Sequence, residues 1–189
     1  MHGYFLKLAR IMAYVGGTVL SLLIVLTCVS IAGRLLNGVL HGIGTGWAQS
    51  LLDLGVGPLN GDFELVEAGM AFAIFAFLPL CQITGGHASV DIFTNRMGPK
   101  VNRVLRWVIE MVFAAVLILI AVQLLAGMQS KLRSGQTTFL LQFPVWWGYA
   151  LSLVGAVVAA VVAVYLAVMR TVELVTGRSV LPADLGADH

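Results

Sequence analysis

The sequence predicts an all-α integral membrane protein of four transmembrane helices, with an interfacial amphipathic helix before the third span. Composition is the first reason: 59% of the 189 residues are apolar and 11% are charged, where a soluble domain has roughly 45 to 50% and about 25%. Placement of the charges is the second. A charge at a helix centre costs about 2.5 to 3.5 kcal/mol in a bilayer, so charged residues mark where spans end. Here they bracket four uncharged windows, each long enough for the roughly 20 residues that a 30 Å hydrocarbon core requires. The same counts exclude other classes. Eleven Lys and Arg against nine Asp and Glu leave a net charge of +2, too small and too scattered for a nucleic-acid surface. The 21 glycines come with only 5 prolines and no short period, so neither collagen nor a disordered tract fits.

The first span is expected over residues 11–33, between Arg10 and Arg34. Its apolar run exceeds the roughly 7 to 15 residues of a signal-peptide core, which favours a retained span over a cleaved leader. An outer Gly-rich loop follows at 35–61, apolar enough to lie against the membrane surface, with Trp47, Leu51 and Leu54 spaced for a short amphipathic turn. The second span is expected over 65–84. Residues 88–107 form the inner amphipathic segment: after Gly98 and Pro99, Val101, Val104, Leu105 and Val108 share one helical face, while Lys100, Asn102, Arg103 and Arg106 share the other. This reads either as an interfacial helix leading into the third span at 108–130 or as a longer third helix with snorkelling arginines. The fourth span is expected over 144–169, and a tail over 170–189.

Orientation follows from the cation census. Lys7, Arg10, Arg96, Lys100, Arg103, Arg106, Arg170 and Arg178 fall on one side of these spans, and Arg34, Lys131 and Arg133 on the other. Positive charge favours the cytoplasmic side, so both termini are expected there. The two cysteines, Cys28 and Cys81, then differ in depth by roughly 12 Å. A disulfide needs Cα atoms within about 7 Å, and both are read as small packing residues.

In the fourth span Gly148, Ser152, Ala156 and Ala160 form one row of small residues, and Gly155, Ala159, Ala163 and Ala167 form a second. Such rows let membrane helices approach closely, so this helix is expected to be central or at an interface. Gln123 is the strongly polar group deepest in the third span, expected to make an interhelical hydrogen bond.

Chemistry-bearing patterns are scarce. The four histidines, His2, His41, His87 and His189, all fall outside the apolar windows, so paired axial haem ligands within a bundle are not available. No Cys and His spacing suits zinc, and no phosphate loop or nucleophile motif is present. Span centres lack the ionisable groups and helix breaks of a carrier. Instead the charged and aromatic residues gather at span ends. Arg34 ends the first span and Glu64 and Glu67 begin the second, which permits an Arg-carboxylate pair across that hairpin.

Read in order, Glu64-Leu65-Val66-Glu67, Gly86-His87 followed by Val90-Asp91, then Thr138 and Pro144-x-Trp146-Trp147-x-Tyr149 resemble the small membrane subunit of tripartite ATP-independent periplasmic (TRAP) transporters, the DctQ-like family. The resemblance covers roughly residues 29–166 and includes the four-span count. The 30 residues from Arg34 to Glu64 exceed the family's usual outer link. The resemblance implies a non-catalytic scaffold in a bacterial inner membrane, in contact with membrane lipids. It implies two protein partners: a large elevator-type permease subunit, which holds the substrate and sodium sites, and a periplasmic solute-binding protein that delivers an organic acid. No cofactor is expected in this chain. On the resemblance Arg34, Glu64, Glu67, His87, Asp91, Thr138, Pro144, Trp146, Trp147 and Tyr149 are motif or interface candidates, and Gly148, Ser152, Gly155, Ala156, Ala159 and Ala160 are packing candidates. The alternative is a stand-alone four-helix anchor of a redox complex, or a small membrane enzyme.

Overall fold

The computed structural model describes residues 2–43, 46, 48, 57, 59–86 and 98–176. It is all-helical, with four helices long and apolar enough to cross a membrane: α1 (His2–Ile43), α2 (Asp62–Ile83), α3 (Pro99–Ser134) and α4 (Trp146–Thr176). At 1.5 Å per residue α2 is about 33 Å long, close to a hydrocarbon core, while α1 reaches about 63 Å and α3 about 54 Å. Three helices therefore run past where the charges place the span ends. α1 continues through Arg34 to Ile43, so the first part of the segment read as a Gly-rich loop is helical. Gly38 and Gly42 are tolerated because Leu36, Val39 and Leu40 keep the segment apolar, and backbone groups with little water to bond are best satisfied within a helix. Trp47, Leu51 and Leu54 lie outside the described residues. α3 absorbs the segment from Pro99 onward in one continuous helix, with Pro99 in its first turn behind Gly98 and left-handed Gly135 (φ 62°) closing its other end. α4 continues to Thr176, so the start of the expected tail is helix.

The helices pack in the spatial order α1, α2, α4, α3, with α1 touching α4 only lightly. Glycines fix the registers. A Cβ at Gly16 of α1 would meet the Ala76 Cβ of α2 at 2.8 Å, and one at Gly69 of α2 would meet Leu23 of α1 at 2.7 Å, an antiparallel register. Between α2 and α4 the register is parallel: a Cβ at Gly148 would meet Ala68 at 3.3 Å and one at Gly155 the Phe75 backbone at 3.0 Å, seven residues further along both helices. Phe75 is the residue whose carbonyl Pro79, buried inside α2, leaves without its usual helical donor. α3 and α4 are antiparallel, since Tyr149 lies on Gly127 and the Trp107 indole donates to the Thr171 hydroxyl at 2.9 Å.

α4 sits in the middle and is the most buried helix. Of its small-residue rows, Ser152, Gly155, Ala156, Ala159, Ala160, Ala163 and Ala167 are buried, and Gly148 is half-buried against α2. Ala159, Ala160, Ala163 and Ala167 form one cluster with Ala114 and Leu117 of α3, on which Leu78 of α2 and Ile120 of α3 also pack. A second cluster, Val162 and Leu166, takes in Phe5, Ile83 and Tyr165; the Phe5 ring stacks on Tyr165 at 4.2 Å, tying the start of α1 to α4. Two expectations fail. Cys28 is exposed and so is not packed inside the described bundle, although both cysteines are free as expected. Gln123 is exposed on α3 and has no hydrogen bond among the described residues, because α3 packs mainly on α4 and this position lies off that face.

Candidate functional site

Because α2 and α4 run parallel, their N-termini lie at the same end of the bundle, the end that carries Arg34. The link from α3 to α4 lies at this same end, and it reaches the start of α2. It does so as a tight turn: Thr137 bridges Pro144, the Thr138 amide donates to the Phe143 carbonyl at 2.9 Å and the Val145 amide to the Gln136 carbonyl at 3.0 Å. Gln142 at its tip has φ 53°, in the left-handed region that a non-glycine residue rarely enters.

Glu64 holds this turn in place. Its carboxylate accepts the Leu140 amide at 2.7 Å and the Leu141 amide at 2.9 Å, with Phe139 and Thr138 close by. Consecutive amides turned toward one anion form a nest of the kind that binds phosphate elsewhere; here the anion is the chain's own buried side chain. The turn also closes on Gly61. A Cβ there would strike Leu141 at 2.5 Å, and φ at Gly61 is 83°, so the position requires glycine on both counts.

Arg34 binds Asp62. One guanidinium nitrogen reaches both carboxylate oxygens, at 3.1 and 2.9 Å, and Asp62 also accepts its neighbour Phe63's amide at 2.9 Å. Ser30, fully buried one turn earlier on α1, sits beside the same carboxylate. The pair joins α1 to the first turn of α2, where an acidic side chain also faces the positive end of the helix dipole. An Arg-carboxylate pair across the hairpin is thus present, but its acid is Asp62. Glu64 is turned the other way, toward the turn, and Glu67, one turn further along α2, is exposed. Asp62 and the amide nest are the elements that the sequence reading missed. Asp62 is visible as an acid in a helix first turn; the nest, joining residues 76 positions apart, has no local signal.

Beneath the turn lies a cavity of about 490 Å³. α4 is its floor, through Gly148 and Ser152; α2 and Leu124 of α3 are its walls, and Phe139 and Phe143 its roof. Glu64, Glu67, Thr138 and Tyr149 also line it, so four of the motif residues meet here. Trp146 and Trp147 stack edge to face at 6.0 Å just outside, with Trp147 exposed. Pro144 precedes α4 by two residues, and its carbonyl accepts the Trp147 amide at 3.1 Å. His87 and Asp91 lie outside the described residues.

At the opposite end Arg170 pairs with Glu173 at 2.9 Å, Glu173 buried and Arg170 half-buried. Among the described residues no three His, Cys, Asp or Glu side chains group as a metal site would need. The polar side chains at the Arg34 end thus serve mainly to fasten one element to another.

No curated protein and no solved structure matches the chain. Residues 23–173 match the family described as tripartite ATP-independent periplasmic transporters, DctQ component, a span that contains all of α2, α3, the amide nest and the cavity. This multi-pass membrane chain therefore belongs to the DctQ family, the small membrane component of TRAP transporters.

Proposed function

We propose that the chain is a non-catalytic scaffold of a TRAP-type secondary transporter. It braces a large elevator-type permease subunit and helps a periplasmic substrate-binding protein to dock for ion-coupled uptake of an organic acid. Family membership over residues 23–173 carries the reading. The structure is in keeping with it: Arg34, Asp62 and Glu64 are engaged in joining α1, α2 and the turn before α4, which suits a rigid brace better than a moving carrier. Sodium coupling and substrate selection belong to the large subunit, and this chain needs no cofactor.

On this reading the bundle sits in a bacterial inner membrane with both termini cytoplasmic, and the Arg34 end faces the periplasm. Glu67, exposed there beside the α3 to α4 turn, is placed to meet the binding protein, where rim charges act on association rate and salt dependence. Affinity purification of the tagged chain from cells that also express the large permease subunit tests the proposal. Recovery of the two in constant ratio is the expected result; a chain that purifies alone under conditions that keep the large subunit folded overturns it.

A further inference from the structure

Apart from Glu67 at its rim, the cavity beneath the turn has a shape and a chemistry that the scaffold role does not use. α2 and α3 both pack on α4 and flank it as walls. Toward the Arg170 end the groove between them is shut, because Leu78 and Ile120 both pack on the alanine cluster of α4. Toward the Arg34 end it is roofed by Phe139 and Phe143. What remains reaches from Glu64 to Phe75 along α2, eleven residues or about 16 Å, which is about half of a 30 Å hydrocarbon core. A helix spanning the membrane needs a groove across its full depth and cannot lie in this one. A lipid of the leaflet at the Arg34 end needs only this half.

The polar groups grade the site by depth. At the rim Glu67 is exposed, while Glu64 is already held by the turn's amides; among the described residues no Lys or Arg lines the cavity. Two turns deeper, Ser152 lines the floor, 2% exposed, and its hydroxyl is buried without a partner. A buried hydroxyl left unpaired is costly, so a ligand that brings an acceptor to that depth is favoured. Below it Phe75 and Leu124 are apolar.

We propose that this groove binds one amine-bearing phospholipid, of the phosphatidylethanolamine type. The primary ammonium pairs with Glu67 and a glycerol ester carbonyl accepts the Ser152 hydroxyl. One acyl chain starts along Phe75 and Leu124 and continues into the leaflet through the open side. The Glu67 carboxylate at the rim, with no Lys or Arg among the described lining residues, selects against an anionic headgroup that lacks an amine. At about 490 Å³ the volume falls within the usual range of ligand pockets.

Native mass spectrometry of the full chain, released from nanodiscs of phosphatidylethanolamine and phosphatidylglycerol with matched acyl chains, tests this. One retained phosphatidylethanolamine per chain, favoured over phosphatidylglycerol by about fivefold, is expected for an ion pair at an accessible rim. Glu67→Gln should bring the two lipids to parity. Ala71→Phe, which fills the groove, should abolish retention, while Ala115→Phe on the exposed face of α3 should not. Equal retention of both lipids by the unaltered chain, or an unchanged preference in Glu67→Gln, overturns the proposal whatever the folding of Ala71→Phe. So does a groove empty of lipid in which a cysteine at Ala71 is shielded from a thiol reagent only when the large subunit is present, since that assigns the groove to a protein partner.

Discussion

Glu64 shows how much one carboxylate does at the Arg34 end. It is buried at the start of α2 and pairs with amides rather than a cation, so its charge is matched by the dipoles of a single turn. Glu64→Gln keeps the size and one acceptor oxygen but removes the charge that makes these hydrogen bonds strong. Hydrogen exchange at the Leu140 and Leu141 amides should then quicken by roughly tenfold, with the amides of α3 unchanged. Exchange no faster than in the unaltered chain would mean that the turn holds itself. The neighbouring pair is a contrast: Arg34 is 57% exposed and Asp62 9%, so water screens its outer side. An acid near Arg34 was legible in the sequence, because charges in an apolar chain collect at span ends. Which acid was not, since Asp62, Glu64 and Glu67 all lie within the first two turns and only the rotation of α2 about its axis decides.

Among the elements, α4 was the most legible. Rows of small residues at four-residue spacing pointed to close packing, and both rows are largely buried, one glycine meeting the Phe75 backbone. Volume added there must separate helices. Gly155→Leu and Ala159→Leu should destabilise the folded bundle by about 1 to 3 kcal/mol, while Leu at Val157 or Val161, both exposed, should be nearly neutral. Val162 differs from Val157 and Val161: it is fully buried in a cluster with Phe5 and Tyr165, because the start of α1 leans onto α4. Equal losses at buried and exposed positions, read from denaturant titration in detergent, would contradict the packing shown. The helix lengths were less legible. Charges mark the hydrocarbon boundary but not where a helix stops, and α1, α3 and α4 all continue past it. The exposed Gln123 on α3 was misjudged because sequence gives depth and not azimuth. An amide at that depth facing lipid is costly, so within the proposed complex it meets the large subunit. Gln123→Leu should lower recovery of that subunit with the tagged chain and leave the isolated chain's stability unchanged. Unchanged recovery would place the large subunit on another face.

For the whole molecule, the order α1, α2, α4, α3 leaves α1 and α3 at the flanks with broad apolar faces and puts α4 at the centre. On the proposed topology four crossings place both chain ends on one side, and the cation bias predicts that this side is the cytoplasm. Thr137→Cys should label with an impermeant thiol reagent from the periplasm and Val101→Cys only after permeabilisation; the reverse pattern would invert the molecule. The four-span architecture was readable from the cost of burying charge, and the family from short motifs at the span ends. The parallel pairing of α2 and α4 was not, since nothing local in an apolar helix states its neighbour, yet that pairing carries the α3 to α4 turn over α2 and builds the amide nest and the cavity.

On the proposed reading this chain supports transport without performing it. Uptake into proteoliposomes, driven by a sodium gradient and supplied with the receptor, is the direct test, comparing this chain alone, the large subunit alone and both together. Uptake that requires both subunits, with the sodium dependence unchanged when Glu67 becomes Gln, is the predicted result. Uptake by this chain alone, or full uptake by the large subunit without it, would contradict the account.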